Sequence, residues 1–105
     1  MMVPISKTCI PLEKSMLENV VNLTDRPETL SFDEARRLAD HEAAKRSKNP
    51  MLLAWYDRRR GLFSPNVECC EPSKPAWLVY AQSRGADCTI AVNDLDYVFL
   101  YRSTE

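Results

Sequence analysis

The most regular pattern of apolar and polar positions lies between Ser31 and Asn49. Phe32, Ala35, Leu38, Ala39 and Ala43 recur at helical spacing and form one apolar stripe. Ser31 stands before the stripe with Glu34 three residues on, the arrangement in which side chain and backbone at a helix start satisfy each other's orphan amides. Leu30 and Ala35 occupy the two positions of a weak hydrophobic staple. Asp33 and Glu34 sit in the first turn and Lys45, Arg46 and Lys48 in the last, which matches the helix dipole. Asp33–Arg37 and Glu42–Arg46 add pairs four residues apart. Asn49-Pro50 ends the element. The small alanines predict close packing of this helix against a sheet.

Around the helix the period changes to two. Residues 18–23 form a modest first strand, followed by a turn at Thr24-Asp25-Arg26-Pro27-Glu28. Residues 51–57 read as a second strand closed by a turn at Arg60-Gly61. Residues 62–75 carry Pro65, Pro72 and Pro75 and are expected to be a long irregular loop. Strands are expected at 76–82, 88–92 and 97–102, joined by turns at Ser83-Arg84-Gly85-Ala86 and Asn93-Asp94-Leu95-Asp96. Residues 1–17, with two prolines and no clean period, are expected to be an irregular arm or a short helix after Pro11, leaving 18–105 as one domain. The predicted fold class is α+β: a single β-α-β-β-β-β domain, an antiparallel sheet with one helix packed on one face.

A sheet with one wet face alternates apolar and polar side chains. Here both parities are apolar. Leu53, Trp55, Val79, Val98 and Leu100 fall on some positions; Leu52, Tyr56, Leu78, Tyr80, Phe99 and Tyr101 fall on the others. One helix covers only part of one face, so the other is expected to need a lid, either the N-terminal arm or a second copy of the chain. This motivates an expected homodimer.

Composition narrows the function classes. The chain has 105 residues, 45% of them hydrophobic and 28% charged, enough for one folded core. A net charge of −1 offers no global field for nucleic acid or an anionic membrane, so neither is an expected partner. Two glycines in the whole chain exclude the glycine-rich nucleotide cradles. No apolar run approaches a membrane span, and Lys7, Pro11, Glu13 and Lys14 interrupt the start, so a cytoplasmic location is expected. In that compartment Cys9, Cys69, Cys70 and Cys88 are expected as free thiols.

Cys69-Cys70, flanked by Glu68 and Glu71 in the proline-rich loop, is the most unusual feature. As metal ligands the pair lacks the two-residue spacing that aims two thiolates at one ion, and His41 is the one histidine. As a redox pair it would close a strained ring, and as a nucleophile it would be held back by carboxylates that raise a thiol pKa. Two unreactive thiols are the plain alternative. The candidate metal or thiol site is therefore Cys69, Cys70, His41 and Asp57, His41 lying off the apolar stripe where a solvated side chain is expected. Arg58, Arg59 and Arg60 at the end of the second strand form a candidate anion site, because guanidinium groups fork onto phosphates and carboxylates. A solvated hairpin end is the competing reading. Trp55, Tyr56, Trp77 and Tyr80 are read as core rather than a base-stacking platform.

The stretch from Ser31 to Arg102 resembles a small family of prokaryotic proteins of unknown function, known mostly through structural genomics. Asp33-Glu34-Ala35-Arg36-Arg37-Leu38-Ala39-Asp40, Trp55-Tyr56-Asp57, Glu68-Cys69-Cys70 and Asn93-Asp94-Leu95-Asp96-Tyr97-Val98-Phe99 carry the resemblance. It implies a helix on an antiparallel sheet and brings no activity. Two functional expectations follow from the residues. The first is a non-enzymatic binding or assembly protein that self-associates through its sheet and needs no cofactor. The alternative is a thiol- or metal-dependent protein built on the Cys69-Cys70 loop, with a bound metal ion.

Overall fold

A computed structural model of the chain describes residues 12, 14–17, 19–24, 30–65 and 75–103. Five strands form one sheet: β1 (Val20–Leu23), β2 (Pro50–Asp57), β3 (Leu62–Ser64), β4 (Cys88–Val92) and β5 (Tyr97–Ser103). Two helices join them, α1 (Phe32–Arg46) between β1 and β2, and α2 (Ala76–Ser83) between β3 and β4. The strand order is β1-β4-β5-β2-β3, antiparallel throughout except for β1, which runs parallel to β4. The architecture is α+β, as the sequence implies.

The first helix forms as its pattern predicts. Ser31 Oγ accepts a hydrogen bond from the Glu34 amide at 3.2 Å, and Glu34 Oε1 accepts one from the Ser31 amide at 3.0 Å. These bonds hold the Glu34 carboxyl below its usual pKa range. Ala35, Ala39 and Ala43 are buried against Ile90, Val92, Tyr97, Phe99 and Tyr101 on one sheet face, and Leu30 joins the same cluster. Glu42 pairs with Arg46 at 2.9 Å on the exposed side. The helix ends earlier than Asn49-Pro50 suggests, with Ser47 as its C-cap.

The stretch 76–82 is not a strand. It is α2, and it is the lid of the second sheet face. Ala-Trp-Leu-Val-Tyr-Ala is apolar at every position, so neither a period of two nor one of 3.6 stands out. The Pro75 carbonyl accepts from the amides of Leu78 and Val79, starting the helix where proline's missing amide costs nothing. Trp77, Leu78 and Ala81 are fully buried against Ala54, Val98 and Leu100. An eight-residue helix is marginal alone, so this packing is what holds it. Trp77 also stacks on Tyr56, centroids 5.2 Å apart and planes within 9°.

Leu12, Met16 and Leu17, from the stretch expected to be an irregular arm or a short helix after Pro11, pack into this second cluster, and a 3-10 turn forms at Lys14–Met16. The apolar surplus on the strands thus reflects a sheet covered by a helix on each face, rather than a face left for a second copy. A bulge completes the pattern: Leu52 faces Tyr101 and Ala54 faces Leu100, which leaves Leu53 as the extra residue. The slip brings Leu52 and Trp55 to the α1 side and Leu53, Ala54 and Tyr56 to the α2 side.

Three further corrections concern the sheet. The first strand starts at Val20 and pairs in parallel, because α1 carries the chain over β4 and β5 before β2 begins. The expected loop 62–75 opens with the short edge strand β3. The segment at Ser83-Arg84-Gly85-Ala86 links a helix to a strand instead of closing a hairpin. The turn at residues 93–96 does join two strands, with Asn93 and Asp94 at φ of 51° and 66°, a region that short polar side chains tolerate. The expected turn residues 25–28 lie outside the described residues.

Candidate functional site

Asp57 is the last residue of β2, opposite Tyr97, and its side chain falls on the α1 face. It is buried to 1% exposure, the one buried acidic side chain among the described residues. A carboxylate so placed needs partners, and the turn that follows supplies them. Oδ1 accepts the Arg60 amide at 3.1 Å and Oδ2 accepts Arg60 Nε at 2.7 Å. One carboxylate therefore closes the β2–β3 turn and orients the arginine at its tip. Gly61 completes the turn at φ 68°.

The guanidinium carbon of Arg60 lies 5.7 Å from the centre of the Phe32 ring. Phe32 is the first residue of α1 and packs in turn on Trp55, Phe99 and Tyr97, with centroids 4.6, 5.5 and 6.2 Å away. Tyr97 is pinned as well: its hydroxyl donates to the Leu30 carbonyl at 2.6 Å, and burial pushes its pKa up. Between these groups opens a cleft of about 400 Å³. Its walls are residues 30–33 at the start of α1, Arg59 and Arg60 from the turn, and Tyr97 from β5.

The three arginines of the candidate anion site part company. Arg58 turns away to Asp96, donating to its Oδ1 at 2.5 Å, and so ties the β2–β3 turn to the β4–β5 turn. Arg59 and Arg60 line the cleft. Of the candidate metal or thiol residues, Cys69 and Cys70 lie outside the described residues. His41 is exposed on α1, nine residues beyond Phe32 and so about 13 Å further along the helix axis. The fold therefore brings Asp57 to Arg60 and not to His41. Among the described residues no group of three or more His, Cys, Asp or Glu side chains is placed to hold a metal ion.

A second cleft, of about 430 Å³, lies at the other end of α1 beside Arg46, Ser47, Asp87 and Cys88. Cys88 is a free thiol, and burial pushes its pKa up, away from the thiolate. Between the clefts, Tyr101 donates its hydroxyl to Asp40 Oδ1 at 2.5 Å and so fastens β5 to α1.

Sequence reasoning reached Asp57, Arg59 and Arg60, though it assigned Asp57 to a different chemistry. It missed Phe32 and Tyr97 as cleft walls, because in sequence Phe32 reads as part of the helix stripe and Tyr97 as the start of a strand. It saw Ser31 only as a cap.

Residues 18–101 match the domain of unknown function DUF5619. The chain is similar to an uncharacterised protein of Archaeoglobus fulgidus, 40% identical over 70 residues, which are 67% of this chain and 74% of that one. It is also similar to a crystal structure of a novel protein from the same organism. That comparison has a TM-score of 0.71 and 31% identity, and covers 85% of this chain and 98% of the other.

Proposed function

The chain belongs to the DUF5619 family of unknown function, and from that premise we propose that it is a non-enzymatic binding module whose ligand site is the cleft beside Arg60. One observation carries the reading. A buried carboxylate, Asp57, is committed to holding an exposed arginine across an aromatic ring at the rim of a cleft. Orienting a surface side chain at the cost of burying a charge is what a binding site requires and a plain hairpin end does not.

Mapping amide chemical shifts against a chemically diverse fragment library tests the proposal. Fragments are expected to cluster on residues 30–33, 59, 60 and 97. A library that leaves those amides unmoved would refute it.

Self-association stays part of the proposal, on new ground. With a helix on each sheet face, a second copy would meet the strand edges. The exposed large apolar side chains among the described residues are Leu62 on the edge strand β3 and Met51 on the part of β2 that β3, paired only with residues 55–57, leaves uncovered. The proposed setting is the cytoplasm, where a thiol such as Cys88 stays reduced. Among the described residues no helix is long and apolar enough to cross a membrane.

A further inference from the structure

The reading of the cleft as a binding site leaves its ligand class open, and the chemistry of the rim narrows it. Arg60 spends its amide and Nε on Asp57. Among the described residues neither Nη atom meets an acceptor, and the side chain is 58% exposed. A guanidinium clamped through Nε points its two Nη donors outward as a fixed fork, the shape that matches the two oxygens of a planar oxyanion. Ser31 stands across the same cleft. Its oxygen already accepts the Glu34 amide, which leaves its hydroxyl proton to donate. At the start of α1 the capping box occupies the amides of Ser31 and Glu34, and those of Phe32 and Asp33 have no intrahelical acceptor.

Charge decides between oxyanions. Arg59 and Arg60 line the cleft, but Asp33 shares its wall and Asp57 backs Arg60, so two positive groups face two negative ones. The fork pairs one negative charge, and the second charge of a dianion would be desolvated against the apolar walls and beside Asp33. A monoanion needs only the fork. Leu30, Phe32 and Tyr97 give the rest of the cleft an apolar lining suited to a hydrocarbon body.

We infer that the cleft takes a monocarboxylate with an apolar body, its carboxylate on the Nη edge of Arg60. This rests on the cleft being the binding site. Benzoate is the probe, with the isosteric neutral benzamide and inorganic phosphate as comparators, each titrated into the unmodified protein and followed at the amides of residues 30–33, 59, 60 and 97. Benzoate is expected to give saturable shifts, with benzamide weaker by about tenfold or more, the loss expected when a charge-assisted fork is missing, and phosphate weaker by about as much because it lacks an apolar body to cover Leu30, Phe32 and Tyr97. Arg60→Lys keeps the charge beside Asp57 but removes the fork, and is expected to weaken benzoate by about tenfold. Arg58→Lys, whose parent side chain is turned to Asp96, is expected to leave benzoate binding unchanged.

Benzamide binding as tightly as benzoate overturns the oxyanion class while leaving the cleft a binding site. Phosphate binding as tightly overturns the monocarboxylate. No movement with benzoate while neutral fragments bind at the same amides overturns this inference alone, and no movement with any fragment overturns the binding reading with it.

Discussion

Replacing Tyr101 with phenylalanine removes one oxygen from the interior and changes little else. The ring is 2% exposed and packs in the α1-side cluster, so its apolar contacts survive. What is lost is the hydroxyl's bond to Asp40, the cross-link between β5 and the middle of α1. A hydrogen bond to a charged acceptor is worth about 1.5–3 kcal/mol, but the Asp40 side chain is 49% exposed and is rehydrated once abandoned. The expected loss is therefore about 1–2 kcal/mol at neutral pH. Unfolding entropy of about 2.1 cal/mol/K per residue, over 105 residues, turns that into a melting temperature lower by about 5–9 °C.

The same buried hydroxyl makes the loss depend on pH. Burial, then the bond to Asp40, push the Tyr101 pKa well above its ordinary value of 10. Above that value the unfolded chain releases the phenolic proton while the folded chain keeps it. Stability then falls with rising pH, until the folded pKa is passed. Tyr101 alone removes about 1.4 kcal/mol from the parent protein by pH 11, a loss the phenylalanine variant cannot suffer. Tyr56, Tyr97 and Cys88 shift in the same direction but are common to both proteins and cancel in the difference. Urea denaturation of the two proteins from pH 8 to 11 should show a gap that holds to about pH 9.5 and closes near pH 11. A gap that stays constant over this range, or one below about 0.5 kcal/mol at pH 8, would refute the Tyr101–Asp40 bond as the coupling.

Other expectations are more direct. Ser31→Ala should cost about 1 kcal/mol through loss of the cap, read as a lowered denaturation midpoint, and an unchanged midpoint would mean the cap carries no weight. Gly61→Ala meets no neighbouring atom but must adopt φ 68°, so a loss of about 1 kcal/mol is expected by thermal denaturation, and none would mean the turn relaxes freely. The Trp77 indole N–H is buried and meets no acceptor among the described residues, so Trp77→Phe should cost much less than the roughly 2–4 kcal/mol of Trp77→Leu, and equal losses in urea would show the N–H to be bonded. Light scattering over a dilution series should give a dimer mass that Met51→Lys with Leu62→Lys reduces to a monomer; a monomer without the substitutions would refute self-association, and a persisting dimer would move it from these edges.

Local interactions are legible in a sequence because they join residues a fixed few positions apart. The α1 cap needs only Ser31 and Glu34, and the apolar stripe of Ala35, Ala39 and Ala43 needs only the helical repeat, so both read directly and both stand in the structure. The β4–β5 turn at residues 93–96 reads for the same reason. Residues 76–83 carry no such local instruction. The run 76–81, apolar at every position, satisfies a buried strand and a buried helix alike, and the choice fell to the sheet face that Trp77, Leu78 and Ala81 cover. The bulge at Leu53 likewise arises from two faces that each demand apolar side chains, a demand that exists only once both helices are in place. The candidate site follows the same division. Asp57, Arg59 and Arg60 stand out in sequence as charges at a strand end, but their meaning depends on Phe32, a residue 25 or more positions earlier, and on Tyr97, 37 or more later. No spacing rule spans such separations; only the sheet register and the crossover of α1 bring these side chains to one cleft.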